Sequence, residues 1–205
     1  MTDVTFLSPD FDTMLAHAEY LFGSLPASAT GLIELGYTTA AAPHPLNKAR
    51  HFDIGDHLEF AAEAAELNAA PGVNVYVGPG IRKATTRRNT RTGAADIAAV
   101  PAVWADLDDE GSVDRARKFL VGVGLQPSLA VQTGEYPYQR AQIWWRLDEP
   151  QTDLQEARHL LAGIAARLGG DKLVINPDRL MRLAGSVAWP MKPGRKTELT
   201  KLIEW

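Results

Sequence analysis

The chain of 205 residues contains no cysteine. Disulfide bonds are therefore excluded, and so is any zinc site built from thiolates. Long hydrophobic runs are also missing, because no stretch approaches the roughly 20 apolar residues that a membrane-spanning helix needs. The N-terminus lacks the basic and then apolar pattern of a secretory signal. These absences predict a cytoplasmic protein that has no membrane partner.

Positive charge is scarce in the first third of the chain. Residues 1–70 carry ten acidic and two basic residues, a net charge of −8, whereas residues 71–205 carry nineteen basic and fifteen acidic residues, a net charge of +4. One basic run without acids holds Arg82, Lys83, Arg87, Arg88 and Arg91. Another basic stretch holds Lys192, Arg195, Lys196 and Lys201. Either run alone is explained by a solvated surface, but together they suggest a phosphate-binding half behind an acidic segment.

Histidine is also rare, and its positions do not suggest a metal site. The five histidines show no metal-ligand spacing: they are His17, His44, His51, His57 and His159. Surface or helix-capping roles are the favoured interpretation. A zinc site is therefore not expected in this chain.

The pattern of apolar residues and turn residues predicts a mixed α+β fold. Helices are predicted over 11–22, 53–68, 112–121 and 152–168, with Asp53, Ser112 and Thr152 as N-caps. Strands are predicted over 73–77, 101–107, 128–132, 141–147 and 198–205, with Gly78-Pro79-Gly80 ending the first of them. From residue 101 the order is β-α-β-β-α-β, which is typical of a ferredoxin-like sheet with helices on one face. Residues 1–70 are predicted as an acidic helical lobe, and residues 71–205 as the sheet core.

The predicted strand that ends in Asp106-Leu107-Asp108 carries the clearest chemical signal. Side chains alternate along a strand, so the two aspartates point to the same face. Two neighbouring carboxylates repel each other unless a cation lies between them, and oxygen ligands suit Mg²⁺ or Mn²⁺. A polar turn after a strand is the simpler explanation of this motif alone. The adjacent Asp109 and Glu110 leave the choice of ligand open by one position.

Four segments in order resemble the archaeo-eukaryotic primase (AEP) superfamily, in particular the prim-pol domains of phage and plasmid replication proteins. The segments are 74–77 with the basic loop from Arg82, 104–108, 127–150, and 168–186. Segment 104–108 is similar to the family's first motif, a hydrophobic strand ending in Asp-x-Asp. The resemblance implies an AEP-type catalytic core with an RRM/ferredoxin-like β-sheet and an N-terminal helical or mixed lobe. It also implies one primase–polymerase domain over 1–205, at the N-terminal end of a longer replication protein.

The resemblance further implies a catalytic site with Mg²⁺ or Mn²⁺ as cofactor. Asp106 and Asp108 would hold the metal together with a third carboxylate, for which Asp171 and Asp178 are the candidates. In the family this acid lies well before the arginine of an Arg-Leu pair, here Arg179, and that spacing favours Asp171. Asp178 is otherwise explained as a turn residue.

Nucleotide-binding residues follow from the same resemblance. The implied triphosphate ligands are Arg140, Gln142, Arg179 and Arg182, and the implied nucleic-acid ligands are Arg82, Lys83, Arg87, Arg88 and Arg91. Arg140, Gln142 and Trp144 alternate on one face of their strand and are all expected to reach the site. Gln142 occupies the position where the family usually has a histidine. One of Trp144 and Trp145 is expected in the core, and ordinary packing is favoured over base stacking for the other.

The functional hypothesis is a DNA primase–polymerase that uses NTPs or dNTPs on single-stranded DNA in the host cytoplasm, with a helicase domain as partner. The departure at Gln142 motivates an alternative: a catalytically weak module of the same fold that tethers a helicase to DNA. A rolling-circle initiator is disfavoured, because it would need a metal-binding histidine pair and the sequence contains no His-x-His.

Overall fold

A computed structural model describes residues 7–26, 28–39 and 46–205 of the chain. These residues contain the helices α1 (Phe11–Phe22), α2 (His57–Ala69), α3 (Ser112–Val123) and α4 (Leu154–Leu168). The strands are β1 (Leu32–Tyr37), β2 (Lys48–Asp53), β3 (Val75–Arg82), β4 (Ile97–Leu107), β5 (Leu129–Gly134), β6 (Arg140–Gln151), β7 (Met181–Arg182), β8 (Val187–Ala188), β9 (Glu198–Leu199) and β10 (Lys201–Ile203). None of the helices in the described ranges is long and apolar enough to cross a membrane.

The predicted α+β class is confirmed, with a large antiparallel sheet as its centre. Seven strands follow the order β10-β5-β6-β4-β3-β1-β2, and β7 pairs with β3 off this path. The predicted β-α-β-β-α-β unit therefore runs from β4 to β10. Within the sheet, β3 lies between β4 and β1, and β10 forms the edge of the sheet beside β5.

The sheet has helices on both faces: α3 and α4 of the β-α-β-β-α-β unit share one face, as predicted for that unit, and α1 lies on the other. Ala105 and Ile143 are paired across β4 and β6, and they pack with residues of α3. Trp104 and Trp144 form the next cross-strand pair and point to the other face, because side chains alternate along a strand. On that face His17 of α1 meets Trp144 edge to face, with their ring centroids 5.4 Å apart.

The N-terminal third is not purely helical, which corrects the prediction for residues 1–70. Strands β1 and β2 pair along their whole length and join the large sheet through β3. Asp53 is the last residue of β2, and α2 begins only at His57 after Asp56. Asp53 is therefore not the helix cap that was predicted.

Other predicted boundaries also differ from the structure. Helix α3 begins at Ser112 with Gly111 as its N-cap, so Ser112 is not the predicted cap. Helix α4 is capped by the carboxylate of Asp153, which accepts from two backbone N–H groups, and not by Thr152. Strand β3 continues through Gly78-Pro79-Gly80 to Arg82. Its pairing with β1 and with β4 is irregular next to this tripeptide, and such irregularities accommodate glycine and proline within a sheet.

Candidate active site

One edge of β3 is shared by two strands, and this arrangement creates the candidate site. Tyr76 and Val77 pair with β7, whereas Ile81 and Arg82 pair with β4. A cavity of about 480 Å³ is lined by residues from β3, from β7, from the end of β4 and from the start of β6. The end of the strand that carries the Asp-x-Asp motif therefore opens into a polar cavity.

Three of the predicted carboxylates line this cavity: Asp106, Asp108 and Asp171. The backbone N–H of Asp171 donates to the carbonyl of Asp106 at 2.9 Å, which holds the third acid beside the end of β4. The Asp171 carboxylate also accepts from the backbone N–H of Leu173 at 2.8 Å. Asp178 does not line the cavity, so the arrangement favours Asp171 of the two candidates.

Asp106 is held in a setting that disfavours its charge. Burial, together with the neighbouring charges of Asp108 and Asp171, raises its pKa to about 7. A hydrogen bond from Gln142 and the charge of Arg182 oppose this rise without cancelling it. A carboxylate in this setting has strong affinity for a bound cation.

The surroundings of Asp108, in contrast, favour its charged form. Burial alone would raise its pKa, but hydrogen bonds from Arg195 and Lys192 keep the pKa below its ordinary value. Nη2 of Arg195 lies 2.8 and 2.7 Å from the two carboxylate oxygens, and Nζ of Lys192 lies 2.7 Å from Oδ2. Both oxygens of Asp108 are therefore bound by side-chain cations.

The donor set fits a divalent metal, although it is not assembled as a finished ligand cluster. Within residues 7–26, 28–39 and 46–205, no three acidic or histidine side chains form a group able to hold a metal ion. Asp108 is instead ion-paired with Arg195 and Lys192. Three carboxylates around one cavity, with the charge of Asp106 uncompensated, are the oxygen-rich chemistry that Mg²⁺ and Mn²⁺ prefer.

Arg179 and Arg182 line the same cavity, as expected of phosphate ligands. Arg182 belongs to β7, and its Nη1 donates to Oδ1 of Asn74 at 2.6 Å. Its guanidinium also lies over the ring of Tyr76, 4.6 Å from the ring centroid. Asn74 and Tyr76 therefore orient Arg182, a role that the sequence did not reveal.

Arg140 and Gln142 also line the cavity, but Trp144 does not. Arg140 is 3% exposed; it donates to the carboxylate of Glu198 at 2.9 Å and to the carbonyl of Tyr136 at 2.6 Å. Gln142 lies opposite Asp106 on the neighbouring strand, and its Oε1 is buried without a hydrogen-bond partner. Trp144 is fully buried, so the expectation that it reaches the site is wrong.

Arg82 is not available to nucleic acid, which corrects its predicted role. Its side chain is completely buried, and Nε donates to the carboxylate of Glu34 at 2.8 Å. Arg91 donates to the same carboxylate at 2.8 Å and to the carbonyl of Asp178 at 2.7 Å. Glu34 is buried too, yet its pKa is lowered to about 2 against the effect of burial. The causes are the His51 imidazole, with Nε2 3.6 Å from a carboxylate oxygen, then the charges of these two arginines and a hydrogen bond from Thr92.

Of the other three basic residues in the run, Lys83 and Arg88 make contacts within the protein. Nζ of Lys83 donates to the carbonyl of Ala95 at 2.7 Å, and Arg88 forms an ion pair with Asp53. Arg87 is exposed. Of the five basic residues predicted to bind nucleic acid, only Arg91 lines the cavity.

Two of the histidines, and Trp145, form hydrogen bonds with backbone groups of the protein. His17 and His51 are buried, so the expected surface role is wrong for these two; each accepts a backbone N–H through Nδ1, from Ala184 and Asn89 respectively. Nε1 of Trp145 donates to the carbonyl of Gln126 at 3.0 Å, away from the cavity. His44 lies outside the described residues.

Lys192 and Arg195 are site residues that the sequence-based assignment did not include. They belong to the loop between β8 and β9 and line the cavity with the carboxylates. The basic stretch was visible in the sequence, but no motif spacing connected it with Asp108. Lys192 and Asp108 are 84 positions apart in the chain, so only folding brings them together.

No protein-family model and no curated protein matches the sequence. Solved structures do match. The AEP domain of the primase–polymerase of cyanophage S-2L superposes with a TM-score of 0.61 at 20% identity, covering 96% of this chain and 91% of that one. This chain has the fold of AEP primase–polymerase domains. Primase RepB′ matches with a TM-score of 0.61 at 17% identity, covering 95% of this chain and 56% of its own.

Another RepB′ structure agrees with this fold assignment. Its catalytic domain, in complex with initiator DNA, matches with a TM-score of 0.59 at 18% identity and covers 95% of this chain and 84% of its own. The similarity to these domains extends over nearly the whole chain, including the N-terminal third. The matched span therefore takes in β1 and β2, which were not predicted.

Proposed function

We propose that this chain is a primase–polymerase of the AEP superfamily that builds DNA or RNA strands from nucleoside triphosphates. The observation that carries the proposal is the composition of the cavity. Asp106, Asp108 and Asp171 line it together with seven cationic or amide side chains: Arg91, Arg140, Gln142, Arg179, Arg182, Lys192 and Arg195. A cavity that has both carboxylates and several cations suits a metal-bound triphosphate.

The three carboxylates would hold Mg²⁺ or Mn²⁺ in this function. Two ions bound there would activate the 3′-hydroxyl of a growing strand and stabilise the leaving pyrophosphate. Asp106 supplies the least compensated carboxylate, and Asp171 lies beside it at the end of β4. Asp108 would be a ligand in competition with its contacts to Arg195 and Lys192.

Arginines and a lysine around the acids would bind the triphosphate. Guanidinium groups bind phosphate oxygens through paired hydrogen bonds, and Arg182 is already oriented by Asn74 and Tyr76. Arg179 precedes β7 and faces the same cavity. Arg140 is held by Glu198 and backbone carbonyls, so its contribution is a positive charge near Asp108, with Nε 3.8 Å from Oδ1.

Single-stranded DNA is the proposed template. RepB′, which has the same fold, was solved in complex with initiator DNA. From the sequence resemblance alone, we also propose that a helicase domain acts together with this one in host cytoplasm.

A catalytically weak binding module is the second candidate, and Gln142 motivates it. Its side chain hydrogen-bonds Asp106, where the family usually has a histidine that contacts the nucleotide. The same cavity would then bind metal and nucleotide without efficient transfer. Nucleotide binding with slow or no incorporation would favour this function.

Primer synthesis and extension on single-stranded DNA, with labelled NTPs or dNTPs and Mn²⁺ or Mg²⁺, test the first candidate. Asp106→Asn removes a charge at nearly constant shape and is expected to abolish product. Asp109→Asn is the matched control, because Asp109 is exposed outside the cavity. Its product yield should equal that of the wild type, and loss of product in both variants would contradict the assignment of the ligands.

Binding measurements separate the two candidates when no product appears. Titration of a fluorescent nucleotide in Mn²⁺, with Gln142→His beside the wild type, gives an independent readout. Metal-dependent nucleotide binding by a wild type that lacks transfer activity, with activity gained in Gln142→His, would establish the binding module. The absence of both activity and metal-dependent binding would contradict both candidates.

A further inference from the structure

An exposed tyrosine stands beside the candidate site on a rigid loop. Tyr136 lies between β5 and β6 and is 46% exposed. The carboxylate of Glu198 accepts from the backbone N–H groups of Glu135 and Tyr136, at 2.7 and 3.0 Å. Arg140 donates to the Tyr136 carbonyl and to Glu198. The backbone of Tyr136 is therefore anchored while its ring faces solvent.

A lysine from a neighbouring loop lies over this ring. Nζ of Lys196 is 4.0 Å from the centroid of the Tyr136 ring, within the range of a cation–π contact. Lys196 is exposed and belongs to the segment between β8 and β9. The two loops thus present an aromatic face and a positive charge together.

The positive surface continues from this pair into the cavity. Residues 189–197 contain three basic residues and no acid: Lys192, Arg195 and Lys196, of which the first two line the cavity. The Lys192 side chain is 63% exposed, so it faces both solvent and Asp108. The base of the Tyr136 loop reaches the cavity as well, through Arg140.

We propose that Tyr136 and Lys196 form a binding surface for single-stranded DNA at the mouth of the cavity. Unpaired bases stack on exposed aromatic rings whatever their sequence, and nearby lysines contact the phosphates. A base pair in a duplex does not offer its face in this way. In the basic run over 82–91, Arg82 and Arg91 are ion-paired with the buried Glu34, whereas Lys192 and Lys196 of the 189–197 loop are exposed beside Tyr136 and the cavity.

This inference deepens the proposed function, since it names the surface that would hold the template beside the site of nucleotide addition. It predicts binding that tolerates any sequence and weakens with salt. Duplex DNA of the same length should bind more weakly than the single strand. The binding itself does not require metal or nucleotide.

Fluorescence anisotropy with a labelled oligo-dT strand tests the surface. Tyr136→Ala should weaken binding by roughly 5- to 100-fold, the loss of one stacked base, whereas Tyr136→Phe keeps the ring and should bind like the wild type. Lys196→Gln should reduce the slope of log affinity against log salt by about 0.7. Arg158→Gln is the control, because it removes the same charge from the exposed surface of α4.

Two results would contradict the proposed binding surface. One is an unchanged DNA affinity in Tyr136→Ala, and the other is an equal loss of DNA affinity in Lys196→Gln and Arg158→Gln. Thermal unfolding of each variant identifies a binding loss that comes from misfolding, and the Tyr136→Phe comparison then decides for the ring. Primer extension by the same samples is scored separately. Normal extension with unchanged DNA affinity in the variants contradicts only the surface. DNA binding through Tyr136 without nucleotide transfer by the wild type contradicts only the proposed enzyme.

Discussion

Nη2 of Arg195 lies 2.8 Å from one oxygen of Asp108 and 2.7 Å from the other, while Lys192 binds the latter oxygen as well. These cations occupy the electrostatic position that a metal ion would take at Asp108. Under the proposed function, a metal ion at Asp108 would compete with these two internal ion pairs. Once displaced, the same side chains are next to the cavity in which a triphosphate would bind.

Weaker internal competition should give tighter metal binding. Arg195→Gln and Lys192→Gln are each expected to raise the affinity of the nucleotide-free protein for Mn²⁺ by a few-fold and to lower its affinity for a nucleoside triphosphate. Mn²⁺ paramagnetic resonance and fluorescent-nucleotide titration measure the two affinities. Arg158→Gln controls for net charge. Weaker Mn²⁺ binding in both site variants would contradict the competition.

The carboxylate of Asp106 should destabilise the folded protein when no metal is bound. Its pKa is raised to about 7 in the folded state from 3.8, so folding holds its proton up to that pH, and stability falls as the pH rises between these values. At pH 8, Asp106→Asn should increase the free energy of unfolding by about 1–3 kcal/mol, a value reduced for the access of solvent to the cavity. Urea unfolding in EDTA measures the change. A destabilised variant would contradict the electrostatic account of Asp106.

Glu34 should be among the residues most sensitive to substitution. It is completely buried and neutralises Arg82 and Arg91, so Glu34→Gln leaves buried positive charge uncompensated. A loss of about 3–5 kcal/mol in unfolding free energy is expected. Glu63→Gln is the matched control: its pair with Arg50 is partly exposed, and less than about 1 kcal/mol should be lost. Equal effects of the two substitutions would contradict the importance of burial.

His17 should make stability depend on pH in the acidic range. Burial lowers its pKa to about 3 from 6.5, so below pH 6.5 the unfolded chain binds a proton that the folded protein does not. Stability should fall by about 1.4 kcal/mol for each pH unit below the unfolded-state pKa through this group alone. His17→Asn retains an acceptor for the N–H of Ala184 and should show a smaller fall as the pH is lowered from about 6.5 to about 5.

The exposed His159 provides the comparison for this measurement. His159→Asn should leave the pH dependence of unfolding as in the wild type, because its side chain is exposed on α4. Urea unfolding at several pH values, compared as differences from the wild type, separates His17 from other groups that titrate. A His17→Asn curve parallel to the wild type would contradict the prediction.

Local patterns predicted the parts of the fold whose signals are local. Helix α1 has the bounds that its sequence predicts, and the strand with Asp106 and Asp108 directs both side chains to one cavity. Strand β2, with the sequence Lys-Ala-Arg-His-Phe-Asp, was missed, because its polar residues show no alternation typical of a strand. It is a strand because β1 pairs with it along its whole length.

Strand β3 shows how tertiary contacts override a local signal. Gly78-Pro79-Gly80 is a typical breaker, yet the strand continues. The glycines are needed for close packing: a Cβ on Gly78 would lie 2.5 Å from the guanidinium of Arg82, and one on Gly80 would lie 2.7 Å from the carbonyl of Pro177. The glycines that suggest a break in the strand are thus explained by packing, because a larger residue at Gly78 would clash with the buried side chain of Arg82.

The sequence alone predicted the α+β class. It also predicted that the two aspartates at the end of a strand point to the same side and that Arg179 and Arg182 lie near each other. Each of these predictions depends only on residues close together in the chain. Which charges are free depended on the folded structure. Folding buries Arg82 against Glu34 and brings Arg195 onto Asp108. The physical reason is that the state of a charged side chain depends on burial and on partners distant in sequence, and these come together only in the folded chain.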